Sequence, residues 1–168
     1  MRYTCLSIDQ PYASMIIQRL KTIEVRSWAP KYRGDIMICS TAFDFDLNET
    51  EYLPGGHALG LVTLADVRPL KKSDCDAAAL EDEDFQDGMF AWILENPRQI
   101  KPIPVKGQQR LYHKNIDPIF VKGLYFSFIN ISWENYLQLY YYTLYHTIFT
   151  CKVLDFTKLI FYKVLIRY

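Results

Sequence analysis

The chain has 168 residues, half of them hydrophobic and 23% charged, which excludes an intrinsically disordered polymer and suffices for one domain with a buried core. Nineteen basic residues balance nineteen acidic ones, so attraction to a polyanion has to come from a local patch and not from the global field. The balance is uneven, because residues 1–117 hold fourteen basic and seventeen acidic side chains while 118–168 hold five and two.

RYTCLSI at the start alternates as a strand does. QPYASMIIQRL predicts a helix, with Pro11 suited to its first position and Asp9 near its positive end. Ala13, Ile16, Ile17 and Leu20 fall at i, i+3, i+4 and i+7 and predict one buried face. TIEVR then changes to period two, placing Ile23 and Val25 on one side and Thr22, Glu24 and Arg26 on the other. Arg33, Gly34 and Asp35 make a turn into IMICST, whose nearly continuous apolar run suits a buried strand.

A polar loop from Ala42 to Gly56 precedes LGLVTLADV, a further strand. Residues 70–88 are acidic and read as a solvated loop with a short helix. MFAWILEN is the next expected strand, ended by Pro97. IKPIPVKG, broken by prolines, reads as an edge or crossing strand. Many short strands and one early helix predict an α+β domain, a small β-barrel with peripheral helices.

Composition changes after Asp117. Residues 118–168 are rich in tyrosine and phenylalanine and nearly free of acid, which predicts an aromatic C-terminal extension beside a barrel domain of residues 1–117. An amphipathic helix is expected after Ser132. The longest uncharged run, Asn135 to Thr150, is short of the ~20 apolar residues that a membrane span requires, so no membrane partner is expected. Exposed aromatic surface on this scale would mark an oligomer or protein interface.

Several motifs fail on their own terms. Asp44, Asp46 and Asn48 start like a calcium loop, but Glu49 stands where the sharp turn needs glycine and Gly55 where a bidentate glutamate belongs. GGHALG has neither the Lys-Ser/Thr of a phosphate loop nor dinucleotide spacing. His57, His113 and His146 show no metal-ligand spacing, and no nucleophile elbow is present. No metal and no cofactor are expected. Cys5, Cys39, Cys75 and Cys151 form no CxxC pair, and with no secretory start they read as reduced thiols of a cytoplasmic protein. Cys5 and Cys39 lie in strand-like runs as small core residues.

The informative cluster is Lys21, Glu24 and Arg26. Arg26 can hold Glu24 as an anion, while Lys21 can meet a phosphate or, if desolvated, act as a base of lowered pKa. The same spacing also serves an ion-pair network that secures a helix–strand corner.

Four blocks in order, LSIDQPYASMIIQRLKTIEVRSW, YRGDIMICST, LGLVTLADV and FAWILENPRQIKPIPVKGQQRLY, resemble the ASCH domain (activating signal cointegrator homology) over about residues 3–113. That family belongs to the PUA-like barrels. Its signature, Gly-x-Lys-x-x-Glu-x-Arg, is matched by Lys21, Glu24 and Arg26, with Arg19 in place of the glycine. A glycine there permits a left-handed helix end or close approach of a ligand backbone; Arg19 either adds charge to the cleft or obstructs it. Tyr12 stands in the block where the family has tryptophan, and a base can stack on either ring.

The resemblance implies a barrel of five or six strands with a cleft over the signature. The cleft would take RNA, a single-stranded nucleic acid or a modified nucleotide. Gln10, Tyr12, Lys21, Glu24, Arg26, Trp28, Ser40, Lys106 and Arg110 are its expected ligand-binding residues. Tyr12 or Trp28 would stack on a base, and Lys106 and Arg110 would continue a phosphate-contacting rim. Packing for the two rings and plain solvation for the two cations are the competing expectations.

Some family members act as ribonucleases or as amidohydrolases on acylated cytidine. The amidohydrolases carry a threonine nucleophile at the position of Glu24; here Thr22 lies two residues away, so that deacylation is not expected. If the chain is a hydrolase, Lys21 and Glu24 form its acid/base pair. A third option is a partner-docking protein acting through residues 118–168.

Overall fold

The computed structural model describes residues 1–46 and 52–121. The chain forms strand β1 (Arg2–Ile8), helix α1 (Tyr12–Ile17), β2 (Ile23–Arg26), β3 (Gly34–Ser40), β4 (Phe45–Asp46), β5 (Tyr52–Leu53), β6 (His57–Pro69), helix α2 (Cys75–Ala78), β7 (Phe90–Pro104) and β8 (Leu111–Asn115). Short 3₁₀ turns at Lys72–Asp74 and Asp82–Asp84 flank α2. Six strands make one sheet in the order β2-β7-β6-β3-β1-β8, and β4 pairs with β5 apart from it. Only β1 and β3 run parallel; the other pairs in the sheet are antiparallel. The sheet curls into a half-barrel, in agreement with the expected barrel of five or six strands and few helices.

Both faces of the central strands are covered, which is why IMICS reads as one apolar run. Leu6, Ile8, Ile36, Ile38, Val62, Leu64, Trp92 and Leu94 pack with Ala13, Ile16 and Ile17 of α1. On the opposite face lie Cys5, Met37, Cys39, Ala58, Leu61, Ile100, Tyr112 and Ile116. Val25 and Ile23 of β2 pack with Ala91, Leu70 and Ala78 in a third cluster, so the period-two pattern of TIEVR is realised. Cys5 and Cys39 are core residues, as expected.

The helix is shorter than its apolar spacing suggested. It ends at Ile17, and Leu20 is 40% exposed instead of completing the buried face. The cause is Arg19, whose φ of 66° is left-handed. The Arg19 N–H donates to the Ile16 carbonyl at 3.1 Å and the Leu20 N–H to the Met15 carbonyl at 2.9 Å, the paired bonds of a Schellman ending. This turn aims the chain from α1 into β2 and thereby places Lys21.

Pro97 does not end a strand. β7 continues through it, because Thr63 pairs with Glu95 and Leu61 with Arg98, leaving Asn96 and Pro97 opposite Val62 alone. Two residues against one is a bulge, and a bulge is where a residue without an N–H fits a ladder. Asn96 takes a φ of 48° there. The IKPIP of IKPIPVKG thus belongs to the second half of β7, and Val105, Lys106 and Gly107 lie in the loop that follows. Beyond it, the Lys101 N–H donates to the Ile119 carbonyl at 2.9 Å and the Val121 N–H to the Gln99 carbonyl at 3.0 Å.

β8 is a strand that residue patterning did not indicate. LYHKN holds three polar side chains, and it is ordered by pairing with β1 from Arg2–Asn115 to Leu6–Leu111. The helix expected after Ser132, and the extension beyond residue 121 as a whole, lie outside the described residues. Among the described residues no helix is long and apolar enough to cross a membrane.

α2 is clamped to the sheet by Arg68, which donates to both oxygens of Asp74 at 2.6 and 2.8 Å. Asp74 also accepts the Lys71 N–H at 2.9 Å. Arg68 chiefly, with help from that N–H, holds the Asp74 carboxyl down at about 2. A carboxylate depressed on folding adds stability above its unfolded pKa and loses it as pH falls through the folded value.

Two outcomes follow from these local geometries. Arg19→Gly should stabilise the fold by about 0.5–1 kcal/mol, since glycine takes a left-handed φ without the Cβ clash at some cost in unfolded-state entropy; urea unfolding at neutral pH reads this, and an unchanged or lowered midpoint would contradict the helix-end assignment. Arg68→Ala should lower the urea midpoint at pH 6 and flatten its decline between pH 4 and pH 2, and the two proteins should converge below pH 2.

Candidate functional site

Three chain segments converge at one mouth of the half-barrel: the turn from α1 into β2, the end of β1, and the loop from β7 to β8. Glu24 is registered opposite Trp92, so it faces the α1 side of the sheet, while Ile23 and Val25 face α2. One Glu24 oxygen lies 3.5 Å from Lys21 Nζ and the other 3.0 Å from Arg26 Nε. The side chains of Lys21 and Glu24 are only 5% and 8% exposed, and that of Arg26 is 30% exposed.

Each cation has a second anchor on the backbone. Lys21 Nζ donates to the carbonyl of Ala78 at the end of α2, whose chain also accepts the Thr22 N–H through Ala77 at 2.9 Å. Arg26 Nη2 donates to the Ser7 carbonyl at 3.1 Å. Because β2 and β1 are separated by three strands in the sheet, this bond crosses the open side of the curl. Burial pushes the Lys21 ammonium below its ordinary pKa, and Glu24 opposes that shift without cancelling it. Two cations around one carboxylate leave a surplus of one positive charge at the mouth.

Aromatic rings frame the charges. Lys21 Nζ sits 5.5 Å from the centroid of Tyr12, which is 41% exposed at the start of α1. Trp28 is half-buried, its ring edge-to-face with Trp92 at 4.7 Å. Trp92 in turn donates its indole N–H to the Trp28 carbonyl at 3.1 Å. The Arg110 guanidinium lies 5.7 Å from the Trp28 ring centroid.

Of the nine residues expected around the cleft, Tyr12, Lys21, Glu24 and Arg26 are linked by one run of contacts and Trp28 and Arg110 by another. Lys106 is exposed on the same loop as Arg110. Gln10 and Ser40 are turned inward. Gln10 accepts the Ser14 N–H and donates to the Pro54 carbonyl, both at 3.2 Å. Ser40 is fully buried, donates to the same carbonyl at 2.9 Å and accepts the His57 N–H at 3.1 Å. These two side chains hold the loop before β6 against α1.

Residue types gave no sign of the carbonyls of Ser7 and Ala78, since any residue supplies one; only their placement makes them partners. Trp92 was legible as a strand residue, not as the support of Trp28. Among the described residues no group of three or more His, Cys, Asp or Glu could hold a metal ion.

Comparison with known proteins agrees with the fold. The ASCH domain family model matches residues 6–104, which is more than half of the chain. Activating signal cointegrator 1 of Homo sapiens and that of Mus musculus are each 28% identical over 127 residues, covering 64% of this chain and 22% of theirs. The chain therefore spans about a fifth of the length of the curated relatives it matches. A crystal structure of ASCH from Zymomonas mobilis is similar with a TM-score of 0.52 at 16% identity, over 82% of this chain and 92% of that one. A mutant of the same protein gives 0.52 at 17% identity over 67% and 87%. At such identities the likeness is one of fold. Together with the Lys21, Glu24 and Arg26 signature standing at the mouth of that fold, the family match places this chain in the ASCH domain family.

Proposed function

We propose that the chain binds single-stranded RNA or a modified nucleotide at the mouth of the half-barrel, over Lys21, Glu24 and Arg26. The observation that carries this is the pairing of cations with rings, Lys21 at Tyr12 and Arg110 at Trp28, together with Arg26 on the Glu24 carboxylate. Single-stranded ligands are held by stacking on aromatic faces and by cations along the backbone. The surplus positive charge at the mouth favours a polyanion even though the whole chain is neutral. Tyr12 supplies a stacking face, and Arg26 and Lys106 meet phosphates.

A hydrolase using Lys21 and Glu24 as acid and base is the second proposal, favoured by the lowered pKa of Lys21. Against it, both Glu24 oxygens are engaged by cations and the side chain is almost closed to solvent, so a proton transfer would first have to break an ion pair. Binding without chemistry is the better supported of the two.

We further propose that the protein works in the cytoplasm, where Cys5, Cys39 and Cys75, all free and buried, meet a reducing environment. Residues 118–168 are proposed as an oligomer or partner-docking extension on their composition.

Fluorescence anisotropy with a labelled single-stranded RNA tests the main proposal. Tyr12→Ala should weaken binding about tenfold, and Lys106→Ala should reduce the slope of log affinity against log salt by about one. No binding by the unmodified chain, or identical binding by both variants, would refute it. RNA and nucleoside turnover measured with the unmodified chain and with Glu24→Gln separates the readings: turnover lost in the variant with binding retained would establish the hydrolase.

A further inference from the structure

Arg110 is a member of the site whose backbone its surroundings do not otherwise explain. It is exposed, it precedes β8, and its φ of 57° is left-handed for a residue with a Cβ. Such backbone costs energy and is retained where the side chain has to be aimed. Its guanidinium makes no hydrogen bond and no ion pair among the described residues. It lies over the face of Trp28, 5.7 Å from the ring centroid.

Trp28, unlike Arg110, is held. Trp92, fully buried, meets its ring at 89° and bonds its carbonyl. A ring held from the core side and capped by an unpaired guanidinium has the makings of a sandwich. Guanidinium is planar and stacks on aromatic faces, which a lysine ammonium cannot do. The backbone of the loop that carries Arg110 is seated independently, since Gly107 packs against the Ser7 side chain so closely that a Cβ would come within 2.6 Å of Ser7 Oγ. Arg110 can thus move by its own side-chain rotations while the loop stays in place.

We propose that Arg110 and Trp28 are the two faces of a nucleobase clamp: the guanidinium swings off the indole, a base enters, and Arg110 closes on it as a stacking partner. This rests on the single-stranded RNA reading above and deepens it, because it assigns to Arg110 recognition of a base and not of a phosphate. In the free protein the guanidinium fills the place of the base, which keeps the Trp28 face covered until a ligand arrives. Bases with a larger π-face gain more from such a clamp, so purines should bind better than pyrimidines.

The test compares a labelled hexamer of adenylate RNA with a hexamer of the same phosphate count in which the bases are absent. Arg110→Lys keeps the charge and loses the plane. It should weaken the adenylate hexamer about threefold or more, as expected for loss of the planar guanidinium stack that an ammonium cannot make. It should leave the abasic hexamer unaffected and the salt slope unchanged. Arg110→Ala should weaken the adenylate hexamer at least as much. Equal binding of the adenylate hexamer by the unmodified chain and Arg110→Lys overturns the clamp while leaving RNA binding intact. Equal losses on both hexamers make Arg110 a phosphate contact and likewise overturn it. Failure of the unmodified chain to bind either hexamer overturns the RNA reading and the clamp together. Circular dichroism and urea unfolding of the variants exclude a folding defect as the cause of any loss.

Discussion

A carboxylate taken out of water has to be paid for by its neighbours, and Glu24 is the point on which this site turns. Losing both cations would leave a buried carboxylate uncompensated, which costs several kcal/mol where breaking a solvent-exposed pair costs almost nothing. The two cations are held by backbone carbonyls as well as by Glu24. The network therefore ties together four parts of the chain: α2 through Ala78, the helix exit through Lys21, β2 through Glu24, and β1 through Ser7. An ion-pair corner and the proposed ligand site are compatible descriptions of it. The buried part does structural work, and the partly exposed Arg26 presents the surplus charge outward.

That division suits a binding site better than a catalytic one. A general base has to reach a substrate proton, and Glu24 is turned away from solvent between its two partners. Positive charge, in contrast, acts across the mouth without any group having to move. Tyr12, Trp28, Arg110 and Lys106 are more open than the pair beneath them, so affinity for a ligand would be set at the rim while its placement is set by the rigid floor.

Much of the fold is readable from residue order. Period two in TIEVR separates Ile23 and Val25 from Glu24 and Arg26, and the fold keeps that separation. The unbroken apolar run of β3 reports burial on both faces. Misreadings arose where neighbours outweigh local preference. Pro97 looks like the end of a strand until the bulge opposite Val62 removes the need for its N–H. Leu20 looks buried until Arg19 turns the chain. LYHKN has little strand character and is ordered by β1. Gln10 and Ser40 stand in the right blocks for a cleft, yet the Pro54 carbonyl draws both inward.

Taken by itself, the sequence determined that Lys21, Glu24 and Arg26 share a corner and that the blocks around them are those of an ASCH domain. It could do so because helix and strand periods and family order are local properties of the chain. Tertiary structure alone decided the partners of those charges, since carbonyls such as those of Ser7 and Ala78 carry no residue signature. It also decided that Arg110, more than eighty positions from Trp28, caps its ring. That contact exists only because the sheet curls and brings the β7–β8 loop to the end of β2.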